Sequence, residues 1–123
     1  MPSQDFKRTD RVGAQLRREM GLLVHAAVRD HGLSLCSVSD VEVTRDLDLA
    51  TVWVTALLPQ NALDLVDILN DMTGEFRRAL APRLRLRRVP QLRFQYDDSA
   101  DKGERMDALL REKEFVPSTN DEG

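Results

Sequence analysis

TGEFRRALAPRLRLRRVPQLRFQY, residues 73–96, holds a helix, its stop and a closing strand in one run. Phe76 and Leu80 stand four apart, one helical turn, and continue the apolar face of a helix that precedes them. Pro82 lacks an N–H and clashes with the turn before it, so it ends or bends that helix. Pro90 then opens a strand, Gln91 to Tyr96, with Leu92 and Phe94 facing inward. The same run carries seven arginines (Arg77, Arg78, Arg83, Arg85, Arg87, Arg88, Arg93) and no acid after Glu75, in a chain whose formal net charge is −3. Arginine's planar fork of donors matches phosphate oxygens. Clustered arginine reads as an anion-binding surface, nucleic acid being the commonest large anion. The plain alternative is a solvated face that only keeps the protein soluble. Interleaved Leu84, Leu86 and Val89 make this a folded surface instead of a loose tail.

Working outward, Gly74 interrupts an apolar pattern that runs back through Met72, Leu69, Ile68, Val66 and Leu65. A glycine inside a helical pattern costs about 1 kcal/mol relative to alanine, so it marks a kink or a close backbone approach. Asn61 is placed to cap this second helix, after Pro59 stops a strand. That strand, Leu49 to Leu58, alternates Ala50, Val52, Val54, Ala56 and Leu58 with Thr51, Trp53 and Thr55. Its even face is the core side, which puts Trp53 on the opposite face as a shield or a base-stacking platform. The polar turn Arg45–Asp48 joins it to an earlier strand, Leu35 to Thr44. There the apolar parity switches between Cys36/Val38 and Val41/Val43, which suggests a bulge near Ser39–Asp40. The chain begins with residues 1–8, read as a flexible N-terminus. Thr9 or Asp10 then caps a first helix over about 10–30, with Val12, Leu16, Met20, Leu23 and Ala27 on one face and a stop at Gly32.

The order is helix, strand, strand, helix, helix, strand: an α+β domain with helices on one face of a three-stranded sheet. At 123 residues, 41% hydrophobic and 32% charged, the chain suits a single domain. The one cysteine, Cys36, excludes an intramolecular disulfide and fits a reducing compartment. MPSQDFKRTDR has no apolar segment behind its charges, so we expect no signal peptide, and no run is long enough to span a membrane. We therefore expect a cytoplasmic monomer. Residues 97–123 hold nine acids against four bases, a net −5, leaving +2 on residues 1–96. Ser99 is placed to cap a short last helix containing Met106, Leu109 and Leu110, and disorder is expected from Val116 onward.

These residues resemble one family. The helix–glycine–helix junction, the run Leu86-Arg87-Arg88-Val89-Pro90-Gln91-Leu92-Arg93-Phe94-Gln95-Tyr96-Asp97-Asp98-Ser99, and Gly103-Glu104-Arg105-Met106 are similar to ribosome-binding factor A. So are the hairpin Val41–Leu47 with Ala50–Val54, and the Arg11-Val12…Gln15-Leu16 helix. The resemblance spans about residues 4–113. It implies a type II KH-like fold, which with the reading above gives a domain over residues 9–98, followed by a short helix and disordered acidic tail over 99–123. It also implies binding to the small ribosomal subunit and its rRNA in late assembly, with help in maturing the rRNA 5′ end, especially in the cold. KH domains clamp the nucleotide backbone with a GxxG loop. The family carries instead a kinked small-x-Gly junction, here Met72-Thr73-Gly74, from which Met72 departs. Pro82 is also unusual for the family.

An assembly factor needs phosphate contacts and a shaped surface, and no catalytic constellation. The residues assigned to RNA are Arg77 and Arg78, then Arg83, Arg85, Arg87 and Arg88, with Lys7, Arg8 and Arg11 as a second anchor and Arg45 as a further candidate. Thr73 and Gly74 form the kink, Gly74 allowing close backbone approach. On this basis, reversing the charge of Arg77 and Arg78 together should abolish small-subunit binding and leave stability near wild type. Other assembly factors are further partners. His25, His31 and Cys36 make no metal-ligand spacing, Asp97 and Asp98 suit a strand-end turn, and no phosphate loop or nucleophile motif is present. We expect no enzyme activity, metal or cofactor. The alternative is a protein–protein adaptor whose arginine face meets an acidic partner.

Overall fold

The first helix begins earlier than its apolar spacing requires. In the computed structural model, which describes residues 2–99 and side chains from Arg8 onward, α1 runs Pro2–His31. The expected flexible segment 1–8 is thus helical from Pro2, and Thr9 and Asp10 lie inside the helix instead of capping it. Proline suits a first helical turn, where its missing N–H has no partner to lose, and no glycine or proline interrupts the chain from Ser3 to Val12. Gly32 ends α1 as expected: its φ is 64°, and the Leu33 N–H donates to the Val28 carbonyl at 3.1 Å, which closes the last turn. Val12, Leu16, Met20, Val24 and Ala27 are buried along one stripe, with Leu23 only partly buried beside them. Gly13 lets the helix come close to the sheet. A Cβ there would stand 3.3 Å from the Val41 carbonyl oxygen.

β1 (Cys36–Val43) and β2 (Leu49–Ala56) form the antiparallel hairpin, and the bulge falls where the parity switch requires, with the register shifting between Val38 and Asp40. It returns Val41 and Val43 to the face already occupied by Cys36 and Val38. The hairpin turn is held by one carboxylate. Asp46 Oδ1 accepts from Thr44 Oγ1 at 2.7 Å and from the Asp48 N–H at 3.1 Å. These two bonds hold the Asp46 carboxyl below the usual carboxylate range, and Leu47 takes φ 62°.

β3 (Gln91–Tyr96) lies parallel to β2 on the other side, from Leu49↔Gln91 to Val54↔Tyr96, so the sheet order is β1-β2-β3. Parallel neighbours need a long crossover. α2 (Ala62–Asp71) and α3 (Thr73–Leu80) supply it, with single 3-10 turns at Pro59–Asn61 and Ala81–Arg83. Pro82 stops α3 as expected. Asn61 does stand at the α2 N-cap, but its side chain makes no capping bond and donates to Ser34 Oγ at 3.2 Å. The core joins α1, α2 and α3 to one sheet face through Ala50, Val52, Val54, Leu65, Leu69, Leu80 and Phe94, each at most 2% exposed. The Phe76 and Phe94 rings sit 5.5 Å apart. The apolar stripe of α2 is narrower than expected, since Ile68 is 41% exposed. On the open face Trp53 is half-buried and donates its Nε1–H to Glu42 Oε1 at 3.0 Å. Of the expected last helix only Ser99 is among the described residues; the rest of it and the acidic tail lie outside them.

Candidate nucleic-acid interface

Leu80, Leu84, Leu86 and Val89 face inward between α3 and β3, while Arg83, Arg85, Arg87 and Arg88 are exposed. From Leu84 to Arg87 this is an apolar-in, arginine-out alternation, so packing four aliphatic side chains presents the cations outward. Two contacts tie this segment to α1. Gln15 Nε2–H donates to the Arg83 carbonyl at 3.2 Å, and Arg83 Nη1–H donates to Glu19 Oε1 at 3.1 Å. Arg11 stands four residues before Gln15, roughly 6 Å along the axis, and Arg8 almost one turn further. Both are exposed. The expected second anchor therefore continues the arginine segment. Arg18 is exposed and falls on the same ridge three residues after Gln15. It was legible in the spacing 8, 11, 15, 18 and was not assigned. Lys7 lies on α1, but its side chain is outside the described residues.

The assigned arginines divide by what they touch. Arg77, half-buried, donates from Nε to the Pro90 carbonyl at 3.1 Å and from Nη2 to the Val89 carbonyl at 2.8 Å. It fastens the end of the arginine segment to α3, so charge reversal there would disturb the fold as well as the surface. Arg83 is bound to α1 through Glu19. Arg88 Nη2–H reaches Asp48 Oδ1 at 2.9 Å, linking the segment to the hairpin turn that also presents Arg45. Both partners of that pair are well exposed, at 80% and 58%, so it contributes little stability. Among the described residues, the ion pairs formed leave out Arg8, Arg11, Arg45, Arg78, Arg85 and Arg87. Arg93, not assigned to the site, lies on the open sheet face with Nη2–H on Thr51 Oγ1 at 3.3 Å.

The kink turns one residue before the expected pair. Met72, φ −97° and ψ 6°, is the single residue between α2 and α3, while Thr73 and Gly74 already belong to α3. Its N–H bonds the Leu69 carbonyl at 3.0 Å, and Thr73 Oγ1–H bonds the Asn70 carbonyl at 3.2 Å. Gly74 is exposed, and a Cβ there would meet only Arg78 Nη1, at 4.0 Å. The fold itself therefore has room for a side chain at Gly74. Cys36 is half-buried in β1, where burial pushes its thiol pKa up. That suits a small apolar side chain more than a nucleophile or ligand.

The family model of ribosome-binding factor A matches residues 8–110 of the chain. The chain belongs to that family. The ribosome-binding factor A of Xanthomonas euvesicatoria is 54% identical over 116 residues, covering 94% of this chain and 89% of its own. That of Xylella fastidiosa is 54% identical over 112 residues, 91% of this chain and 90% of its own. Among solved structures, the Thermus thermophilus factor superposes with a TM-score of 0.64 at 28% identity, covering 72% of this chain and 94% of that one. A Thermus homology model fitted into the cryo-EM map of a 30S complex gives 0.58 at 30% identity, over 71% of this chain and 92% of that one. The KH-like fold expected from the resemblance to ribosome-binding factor A therefore holds. Among the described residues no helix is long and apolar enough to cross a membrane.

Proposed function

We propose that this protein is a non-catalytic ribosome assembly factor. It binds the free small ribosomal subunit and assists late maturation of its rRNA, including the 5′ end, in the cytoplasm and as a monomer. The observation that carries this is the joining of α1 to the arginine segment through Gln15 and Arg83, which makes one cationic surface from two distant stretches of chain. The fitting of a relative into a 30S complex supports the same partner. Arg8, Arg11, Arg78, Arg85 and Arg87 contact phosphates on the open surface, and the bonds made by Arg77 and Arg83 hold that surface in shape. No step of bond-making is involved. Binding favours one RNA conformer over others, which is the work of an assembly chaperone.

The test is co-sedimentation with small subunits, large subunits and whole ribosomes across a salt series. Phosphate contacts to single strands give a log–log slope of about −0.7 each, so five engaged arginines give roughly −3.5. Arg85→Glu with Arg87→Glu should cut small-subunit pelleting and flatten that slope by about 1.4, with the fold intact. Wild-type-like pelleting of the folded double variant would remove the assignment. A complex that survives RNase and shows no slope would identify a protein adaptor.

A further inference from the structure

Where the arginine segment meets the hairpin turn, the surface dips into a cleft of about 360 Å³. Its lining joins Arg77 of α3 and Arg88 and Val89 of the segment to Leu47 and Leu49 beside the turn and Gln91 at the start of β3. Its size is near the lower end for ligand pockets, room for one small unit. Its chemistry is mixed in a particular way. Aliphatic walls can lie against the flat face of a ring, two guanidinia line the cleft with them, and the Gln91 amide can meet a donor or an acceptor on a ring edge.

The two cations differ in readiness. Arg77 is held by the Val89 and Pro90 carbonyls at 2.8 and 3.1 Å. These two bonds use two of its five N–H donors, so its orientation is set before any ligand arrives. Arg88 is paired with Asp48 at 2.9 Å in an exposed contact, 80% and 58% open. A pair of that kind is worth little, so an incoming phosphate can replace the carboxylate at small cost. A fixed cation, an exchangeable cation and aliphatic walls beside them suit a nucleotide better than an inorganic anion, which would have no use for the leucines.

Resting on the assembly-factor reading, we propose that this cleft takes one unstacked nucleotide of single-stranded RNA, its phosphate on Arg88 and Arg77 and its base against Leu47, Leu49 and Val89. Sequence-specific RNA binding by proteins targets splayed-out bases of this kind. The phosphate displaces Asp48 from Arg88, so Asp48 restrains binding as long as the cleft is empty.

The experiment is a titration of ¹⁵N-labelled full-length protein with a five-nucleotide single-stranded RNA, and with the same sequence locked in a duplex. Amide shifts should concentrate at Leu47, Asp48, Leu49, Val89 and Gln91, together with the Arg77 Nε–H, for the single strand only. Gln91→Trp, at an exposed strand position, should weaken single-strand binding at least tenfold by filling the mouth. Asp48→Ala should strengthen it severalfold by removing the competitor for Arg88. Should Gln91→Trp fail to fold, the shift map and the Asp48→Ala gain still decide. Shifts spread over Arg78, Arg85 and Arg87 without the cleft amides, or equal binding by the folded variants and wild type, would overturn the cleft. If small-subunit pelleting remained steeply salt-dependent in that case, the cleft alone would fall. Loss of wild-type pelleting would take the broader function with it.

Discussion

Replacing Arg77 by methionine should lower stability while replacing Arg78 the same way should not. Methionine keeps most of the apolar stem and removes only the guanidinium. In Arg77 that group donates to two backbone carbonyls, at 3.1 and 2.8 Å, and one belongs to the buried Pro90. Hydrogen bonds from charged donors contribute about 1.5–3 kcal/mol each when well sequestered. The half-buried position of Arg77 argues for about 1 kcal/mol each, hence ~2 kcal/mol in all. For a folded unit near 100 residues, 1 kcal/mol moves Tm by roughly 4–8 °C. Arg77→Met should therefore melt about 10 °C below wild type. Arg78 is exposed, and its substitution should stay within about 0.5 kcal/mol. Thermal melts by circular dichroism, checked by urea midpoints at constant m-value, measure both. An Arg77→Met melt within 2 °C of wild type, or an equal fall in Arg78→Met, would refute the fastening role.

Gly74→Ala should leave stability unchanged or raise it by up to about 1 kcal/mol through helix propensity, yet reduce small-subunit pelleting, because on the proposed function the missing Cβ serves close approach by RNA. Undiminished pelleting would end that idea. Gly21→Ala, with nothing within 4 Å of the new Cβ, should stabilise by up to about 1 kcal/mol, whereas Gly13→Ala, 3.3 Å from the Val41 carbonyl, should not. Equal melts for the two would show that α1 shifts freely on the sheet. Ser39 Oγ–H donates to Asp97 Oδ2 at 2.6 Å, and that bond, with those from Ser99, holds the Asp97 carboxyl below its ordinary range. A lowered carboxylate pKa stabilises above the unfolded value near 4 and loses its effect as pH falls through the folded value. Ser39→Ala should thus cost about 1 kcal/mol at pH 7 and converge on wild type in more acid solution. A pH-independent difference would assign the loss to the serine's bond with the Trp53 carbonyl instead.

The elements were legible because each rests on local chemistry. The parity switch from Cys36/Val38 to Val41/Val43 has no solution other than an inserted residue, and the bulge is there. Gly32 and Pro82 stop helices for reasons of φ and a missing N–H that act wherever they occur. Less legible were features settled by partners distant in sequence. Nothing near Arg77 tells that its guanidinium meets carbonyls twelve and thirteen residues on, so it read as the foremost free cation. Asn61 has the composition of a cap but found Ser34 across the fold. The start of α1 was missed because apolar spacing reports burial, and the helix extends to Pro2, well before Val12, the first buried position among the residues whose side chains are described.

The parallel pairing of β2 with β3 has a kinetic consequence. The hairpin rests on contacts close in sequence, whereas Leu49 and Gln91 must meet across some forty residues, and such loop closure is slow to be repaid. The arginine segment hangs between α3 and that last strand, so it acquires its shape only when β3 docks. During synthesis, a chain still missing Gln91–Tyr96 can hold its first helix and hairpin and yet have no ordered cationic face. On the function proposed above, competence to engage RNA arrives only with the end of the fold.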